Sequence, residues 1–298
     1  MDHRNVFKEA VLIQLATSCW VGTKTLQKGV VSNIGNSHWL RAKKLLVNPE
    51  LLGAIKTVIH KSRQCIQRHS LPFPMPGLYL VPKDRIDEVD GELDYLKNEF
   101  FGKVNAFLCH YEVAREEAKI ALGELFNESD YPMDIASKFR FDWRFLLLDI
   151  PDKASVLSPG IYEREKRKFE ALMEETRELS IVALREEFGQ IVQHLVERLT
   201  GNGDGPKTMR SDMTRKLNDF LADFGDKNLF EDQKLSELVE QAKEIVNGVD
   251  TPYALTYNEP LRQRFTTEMT HLKDSIDAAI EELPRRRIRF ADPELVAA

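Results

Sequence analysis

A single apolar repeat constrains the fold of this 298-residue chain more than any other feature. Beginning near Pro82 or Asp84, apolar side chains recur in steps of three and four for about 43 residues, up to Asn127. This spacing puts them on one stripe of a helix roughly 65 Å long. The stripe consists of Ile86, Val89, Leu93, Leu96, Phe100, Val104, Phe107, Tyr111, Ala114, Ala118 and Leu122.

A second helix of nearly the same length is predicted from the SPG segment at 158–160 to Leu199. The only other structure predicted between the two helices is a strand at 139–149, where aromatic and charged side chains alternate. Two long helices of nearly equal length separated by one strand segment suggest an antiparallel pair. We therefore expect a long antiparallel helical hairpin with coiled-coil-like packing.

A small sheet is expected to accompany this hairpin. Residues 10–21 are apolar and β-branched, which indicates a buried strand, and GLYLV at 77–81 indicates a short edge strand after a proline-rich segment. Apolar spacing predicts helix for residues 40–69, broken near Pro49, with Asn48 as the cap of the second piece.

Three shorter helices are predicted in the C-terminal third, at about 208–225, 231–247 and 258–283. The expected fold class is therefore α+β and mainly α, with a helical hairpin, a small sheet and a C-terminal helical subdomain. The expected domains are a basic α/β region (1–82), the hairpin with its strand (83–199), and a helical region with a basic tail (200–298).

The glycine-rich segment at 199–209 is not a phosphate-binding loop. Such a loop requires a second glycine five residues after the first, but Pro206 holds that place after Gly201 and has no N–H to offer a phosphate. The preceding residues are also strongly helical, whereas a phosphate loop follows a strand. We predict a linker and no nucleotide or other cofactor.

Catalytic and metal-binding patterns are equally weak. Cys109 and His110 are adjacent, and His60 and Cys65 are five residues apart, so neither pair suits a shared metal ion on a helix. Nucleophile-elbow, zinc-protease and dinucleotide-binding motifs are missing from the sequence. These observations predict a protein that is not an enzyme and holds no metal.

Two observations predict a cytoplasmic location. The chain has no run of 18 apolar residues and no signal-peptide pattern at its start. Its three cysteines, an odd number at wide spacing, do not form a disulfide framework.

The charge distribution is the feature most relevant to function. Residues 1–82 contain 11 Lys and Arg against 3 Asp and Glu, whereas the remaining 216 residues contain 31 basic and 45 acidic side chains. A basic end of this kind meets an anionic partner or packs on the acidic remainder of its own chain. The candidate contacts are Arg41, Lys43, Lys44, Lys56, Lys61, Arg63 and Arg68, with a second basic patch at Arg285, Arg286 and Arg287.

These cations leave three interpretations open. They can bind an acidic protein surface, they can grip a nucleic-acid backbone with help from Trp20 and Trp39, or they can be solvated or paired with the chain's own acidic helices.

Four stretches together resemble an uncharacterised family of phages, plasmids and integrative elements, known only as a domain of unknown function. They are QLATSCWVGTKTL (14–26), AKKLLVNPELL (42–52), GLYLVP (77–82) and KFRFDWRFLLLDIP (138–151). The resemblance covers most of the first 250 residues. It implies genes that lie beside those for a MoxR-type AAA+ ATPase and a von Willebrand factor A-like protein.

The leading hypothesis is a non-enzymatic adaptor, scaffold or assembly subunit of an AAA+ system of a mobile element, which self-associates or binds those two proteins. The first alternative is a nucleic-acid-binding protein that uses the basic N-terminal patch. The second is a helical membrane-active protein, suggested only by FLLL at 145–148.

Overall fold

The computed structural model describes residues 6–26, 29, 39, 41–148, 158–200, 212–249 and 254–283. The protein is mainly helical and has a small antiparallel sheet, in agreement with the α+β expectation. It divides into two compact units, residues 1–156 and 157–298, which are described separately. The predicted linker at 201–209 lies outside the described residues.

The first unit contains the sheet and one of the two long helices. Short 3-10 turns follow the long helix and precede the last strand. In chain order its elements are α1 (Val6–Glu9), β1 (Ala10–Ser18), β2 (Thr23–Thr25), β3 (Lys43–Leu45), α2 (Pro49–His69), β4 (Leu71–Pro72), β5 (Leu78–Pro82), α3 (Ile86–Leu122) and β6 (Arg140–Leu146).

The main sheet has the strand order β4-β5-β1-β6, and all its neighbours are antiparallel. The three predicted strands are thus confirmed as members of one sheet. The prediction that 77–81 forms an edge strand is wrong, because β5 pairs with β1 on one side and with the two-residue β4 on the other.

A separate two-stranded ribbon forms where helix was expected. β2 and β3 pair in antiparallel register, with Lys24 opposite Lys44. The Leu45–Leu46 pair suits a helical stripe and a strand equally well, and pairing with β2 decides the outcome. The helix starts only at Pro49, where the side chain of Asn48 accepts a hydrogen bond from the Glu50 N–H (3.1 Å), as predicted for the cap.

The core of the first unit lies between the sheet, α2 and α3. The predicted stripe of α3 is buried from Val89 to Ala114 and is continuous with one side of α2 and with inward residues of β1 and β6. The FLLL segment belongs to this arrangement, since Phe145 packs against the core while Leu147 is exposed. No helix within the described ranges is both long and apolar enough to cross a membrane.

The second unit is helical throughout its described residues. Its long helix α4 (Pro159–Thr200) packs chiefly on α8, and Gly189 allows a close approach, since a Cβ there would lie 3.3 Å from Ile276 Cγ2. The predicted pairing of the two long helices is not confirmed, because α3 and α4 belong to different units. The other helices are α5 (Asp212–Lys227), α6 (Gln233–Asn247), α7 (Ala254–Tyr257) and α8 (Glu259–Glu281).

A buried ion pair joins three helical segments of this unit. The Arg185 guanidinium of α4 donates two hydrogen bonds to the Asp232 carboxylate, both 2.8 Å long, and a third to the Ala279 carbonyl of α8. Asp232 also caps α6 by accepting from the Leu235 N–H (3.2 Å). Both charged side chains are more than nine-tenths buried. Each therefore needs the opposite charge of the other to offset the hydration that it loses on burial.

We expect Arg185→Met to destabilise the second unit by about 3–5 kcal/mol, because it leaves the Asp232 carboxylate buried without its partner. Arg177→Met is the matched control on the same helix; it removes an exposed pair with Glu174 and should cost less than about 1 kcal/mol. Urea unfolding followed by far-UV circular dichroism measures both. Equal losses of unfolding free energy in the two variants would show that the Arg185 pair has no special role.

Candidate functional site

The ten sequence-predicted contact residues are not one continuous patch. Arg41, Lys43 and Lys44 lie on or beside the β2–β3 ribbon, and the other four N-terminal cations lie on α2. The patch at 285–287 lies outside the described residues.

Three of these cations already have carboxylate partners in their own unit. Lys44 Nζ lies 2.6 Å from Asp130 Oδ2 and also donates to the Leu125 carbonyl, and its side chain is 9% exposed. This pair fastens the ribbon to the turns after α3. The opposite strand contributes weakly, since Lys24 Nζ is 3.8 Å from the same carboxylate.

The other two paired cations face α3. Lys61 Nζ is 3.0 Å from Glu99 Oε1, and the Arg68 guanidinium is 2.5 Å from Glu92 Oε2. The two cations are seven residues apart on α2, and their two carboxylate partners are seven residues apart on α3. The partners follow in opposite order along the two helices, as expected for antiparallel neighbours. The pairs lie along a cleft of about 310 Å³ between α2 and α3.

Cys65 lines this cleft and His69 lies close to it, a pairing that sequence reasoning did not bring together. Cys65 and His69 are one turn apart on α2, and both lie close to Glu92. Burial, the charge of Glu92 and a hydrogen bond with it raise the pKa of the Cys65 thiol to about 12, and burial lowers the pKa of His69. The sequence contains a signal for this cluster. Cys65 and His69 have the spacing Cys-x₃-His on one helix, and Glu88 and Glu92 have the spacing Glu-x₃-Glu at the start of the next.

This cluster is not arranged as a metal site. Arg68 Nε donates to His69 Nε2 (3.0 Å) and the same guanidinium binds Glu92, so an arginine cation occupies the place between these two groups. Across the described ranges, no three His, Cys, Asp or Glu side chains are placed to hold a metal ion. The cleft is best described as an ion-paired seam between two helices.

Four exposed candidate cations are not paired with a described carboxylate. Within the described part of the chain, Arg41, Lys43, Lys56 and Arg63 have no carboxylate partner. Because side chains alternate along a strand, Lys43 projects from the face of the ribbon opposite to Lys44. Lys56 and Arg63 lie two turns apart, about 10 Å, on one line of α2.

Exposed aliphatic side chains accompany these cations. Leu45 shares the outward face of the ribbon with Lys43 and is 49% exposed, and Val21 at the ribbon base is 67% exposed. We call the cations Arg41, Lys43, Lys56 and Arg63, together with Val21 and Leu45, the basic surface.

Gly22 lets the base of the ribbon approach α2 closely. Its φ of +67° lies in the left-handed region, and a Cβ there would lie 2.8 Å from Leu52 Cδ1 of α2. Its carbonyl accepts a hydrogen bond from the Leu46 N–H (2.9 Å), which closes the ribbon. The ribbon base therefore meets the N-terminal half of α2, where Lys56 lies near enough to Cys19 to act on its thiol.

An aromatic cluster supports this junction from inside. The Trp20 ring contacts Phe107, Tyr111 and Tyr131, with an edge-on arrangement to Tyr111 at 5.9 Å between ring centres. The Tyr131 hydroxyl donates to the Leu46 carbonyl (2.9 Å). These contacts with α3 and with the turn that follows it thus fix the position of the ribbon.

We expect Gly22→Ala to destabilise the first unit by about 1–3 kcal/mol, because it strains the backbone and collides with Leu52. Gly91→Ala is the control, since a Cβ at that helical position meets nothing within 4 Å; it should stabilise by about 0.5–1 kcal/mol. Urea unfolding followed by tryptophan fluorescence measures the difference. Equal changes of unfolding free energy in the two variants would contradict the assigned role of Gly22.

The three cysteines should differ in reactivity. Cys109 is exposed, Cys19 is half-buried with a pKa raised by burial, and Cys65 is buried. With a pKa of about 12, roughly one Cys65 thiol in ten thousand is ionised at pH 8. Iodoacetamide should therefore modify Cys109 first, Cys19 more slowly and Cys65 only after unfolding, as read by peptide mass spectrometry. Native Cys65 reacting as fast as Cys109 would contradict the burial.

Comparison with known proteins reveals a family but no characterised relative. The profile of DUF3150, described as a protein of unknown function, matches residues 7–190. That range includes the sheet, the basic surface, α3 and most of α4. A search of curated proteins finds no match, and a search of solved structures finds none. Since the matched range is well over half of the chain, the protein belongs to the DUF3150 family of proteins of unknown function.

Proposed function

We propose that this protein is a non-enzymatic adaptor or assembly subunit that docks onto an acidic protein surface through the basic surface. The carrying observation is that the ribbon and one side of α2 present four cations without a described carboxylate partner, and that two aliphatic side chains at the ribbon, Val21 and Leu45, are exposed. Cations alone suit any anion. Exposed aliphatic side chains gain free energy only when another apolar surface covers them, and a protein partner supplies that surface.

The structural setting supports a docking role. The Lys44–Asp130 pair, the Tyr131 hydrogen bond and the close contact at Gly22 hold the ribbon before any partner arrives. A surface that is already ordered loses less conformational entropy on binding. The exposed cations would also speed the encounter with an acidic partner, by an effect that salt weakens.

The proposed partners come from the family resemblance. They are a MoxR-type AAA+ ATPase, a von Willebrand factor A-like protein, or both, in a system of a phage or plasmid. ATPases of this type remodel other proteins, and a helical third component is suited to present a client or join the two others.

Nucleic-acid binding is the second candidate, and one observation favours it. Trp39 is 84% exposed and lies two residues before Arg41, so a stacking aromatic and phosphate-binding cations are close in sequence. The aliphatic side chains of the basic surface weigh against it, because a phosphate backbone offers them no apolar contact.

A pull-down from the native host, with and without nuclease, tests the docking proposal. We expect the tagged protein to recover an ATPase or a von Willebrand factor A-like protein despite nuclease. Reversing Arg41, Lys43, Lys56 and Arg63 to Glu should abolish this recovery. The matched control reverses four exposed lysines elsewhere, Lys103, Lys138, Lys216 and Lys234, and should retain it.

The nucleic-acid alternative predicts a different result. The partners would then disappear with nuclease, and DNA affinity would fall steeply with salt. For four phosphate contacts, the slope of log K against log salt should become shallower by about 3–4 in the quadruple variant. Partner recovery that both quadruple variants retain would reject the basic surface as the docking site.

A further inference from the structure

As far as its strands are described, the main sheet of the first unit has one long unpaired edge. β6 contains seven residues and pairs with β1 alone among the described strands. Alternate N–H and C=O groups on its outer side are therefore left for another strand to bind. β4 at the opposite edge has only two residues and offers far fewer backbone groups for pairing.

Devices that usually protect an edge strand are sparse in β6. The strand has no proline or glycine, and it pairs with β1 in unbroken register from Arg140 to Leu146 without a bulge. Its three charged side chains alternate in sign, as Arg140, Asp142 and Arg144 on the face that does not pack on α3. Alternating charges do not exclude a second strand; they select one with the complementary order.

We propose that β6 pairs with β6 of a second copy of this chain, antiparallel and around a two-fold axis at Trp143. This proposal is independent of the basic surface. The register places Asp142 opposite Arg144 of the second copy, and the symmetry gives this pair twice. It also places Phe141 opposite the second copy's Phe145 on the core face, and it uses all seven residues of the strand.

Charge also excludes the neighbouring two-fold register, in which the axis lies one residue earlier. An axis at Asp142 would put Arg140 directly opposite Arg144 of the second copy, twice, and like charges in direct opposition destabilise a sheet. An axis between two residues is not allowed, because a two-fold axis perpendicular to the sheet keeps each side chain on its own face. The centre at Trp143 is therefore the register that both charge and strand length favour.

The strand is also ordered before pairing. The Trp143 indole N–H donates to Asp90 Oδ1 of α3 (2.8 Å), and Lys97 Nζ lies 5.2 Å from the centre of its ring. Asp142 is half-exposed and only loosely engaged, at 3.4 Å from Arg140, so its carboxylate remains accessible to a second arginine. An edge held in extended form loses little entropy when a second strand binds.

Charge reversal at the two complementary positions tests the proposal. We expect sedimentation to show a dimer for the full chain. Asp142→Arg and Arg144→Asp should each turn two attractive pairs into two repulsive ones and weaken the dimer about tenfold or more. The double variant with both reversals restores opposite charges and should regain the dimer. Circular dichroism and melting confirm that each variant folds, since both side chains face solvent.

Hydrogen exchange identifies the interface separately. Amide protons of residues 140–146 should gain protection as the protein concentration rises, and this gain should vanish in Asp142→Arg. A dimer that both single variants retain, or one without protection at β6, would overturn the proposal in favour of another interface. A wild-type monomer at high concentration would also overturn it and leave the edge to a strand from a different protein.

Discussion

The fold of the first unit depends on the burial of a single apolar stripe on α3. Phe100 and Phe107 of this stripe contact Phe141 and Phe139, which orders the sheet at β6 and the residue before it. Tyr111, one turn further, contacts Trp20 and so orders the ribbon. Full burial of each large apolar side chain contributes about 1.5–3 kcal/mol, so the stripe contributes substantially to the stability of the unit. The sheet, the ribbon and α2 take their positions from it.

The same helix determines which cations remain available to a partner. Glu92 and Glu99 lie at the edge of α3 that faces α2, and they pair with Arg68 and Lys61. The other side of α2, with Lys56 and Arg63, has no such neighbour among the described residues. The basic N-terminal region is therefore divided by geometry into cations paired with carboxylates and cations without a described carboxylate partner. Only the second group carries the proposed docking function.

Local signals predicted the regular elements well. The steps of three and four residues located α3 and α4, the alternation of Phe141, Trp143 and Phe145 located β6, and Asn48 with Pro49 located the start of α2. They failed for β3, because three residues of strand carry too little periodicity to distinguish from helix. They also failed for the place of β5 in the sheet, because strand order depends on contacts between residues far apart in the chain.

The sequence by itself determined the secondary structure, the burial stripe and the excess of positive charge in the first 82 residues, since each is a property of neighbouring residues. Only the tertiary structure decided which of those charges are paired, because Lys44 meets Asp130 and Lys61 meets Glu99 across 86 and 38 residues of chain. It also decided that Cys65 and His69 share a seam with Glu92, and that β6 is an edge strand among the strands described. Ion pairing and edge exposure arise from the packing of separate elements, and no local pattern encodes that packing directly.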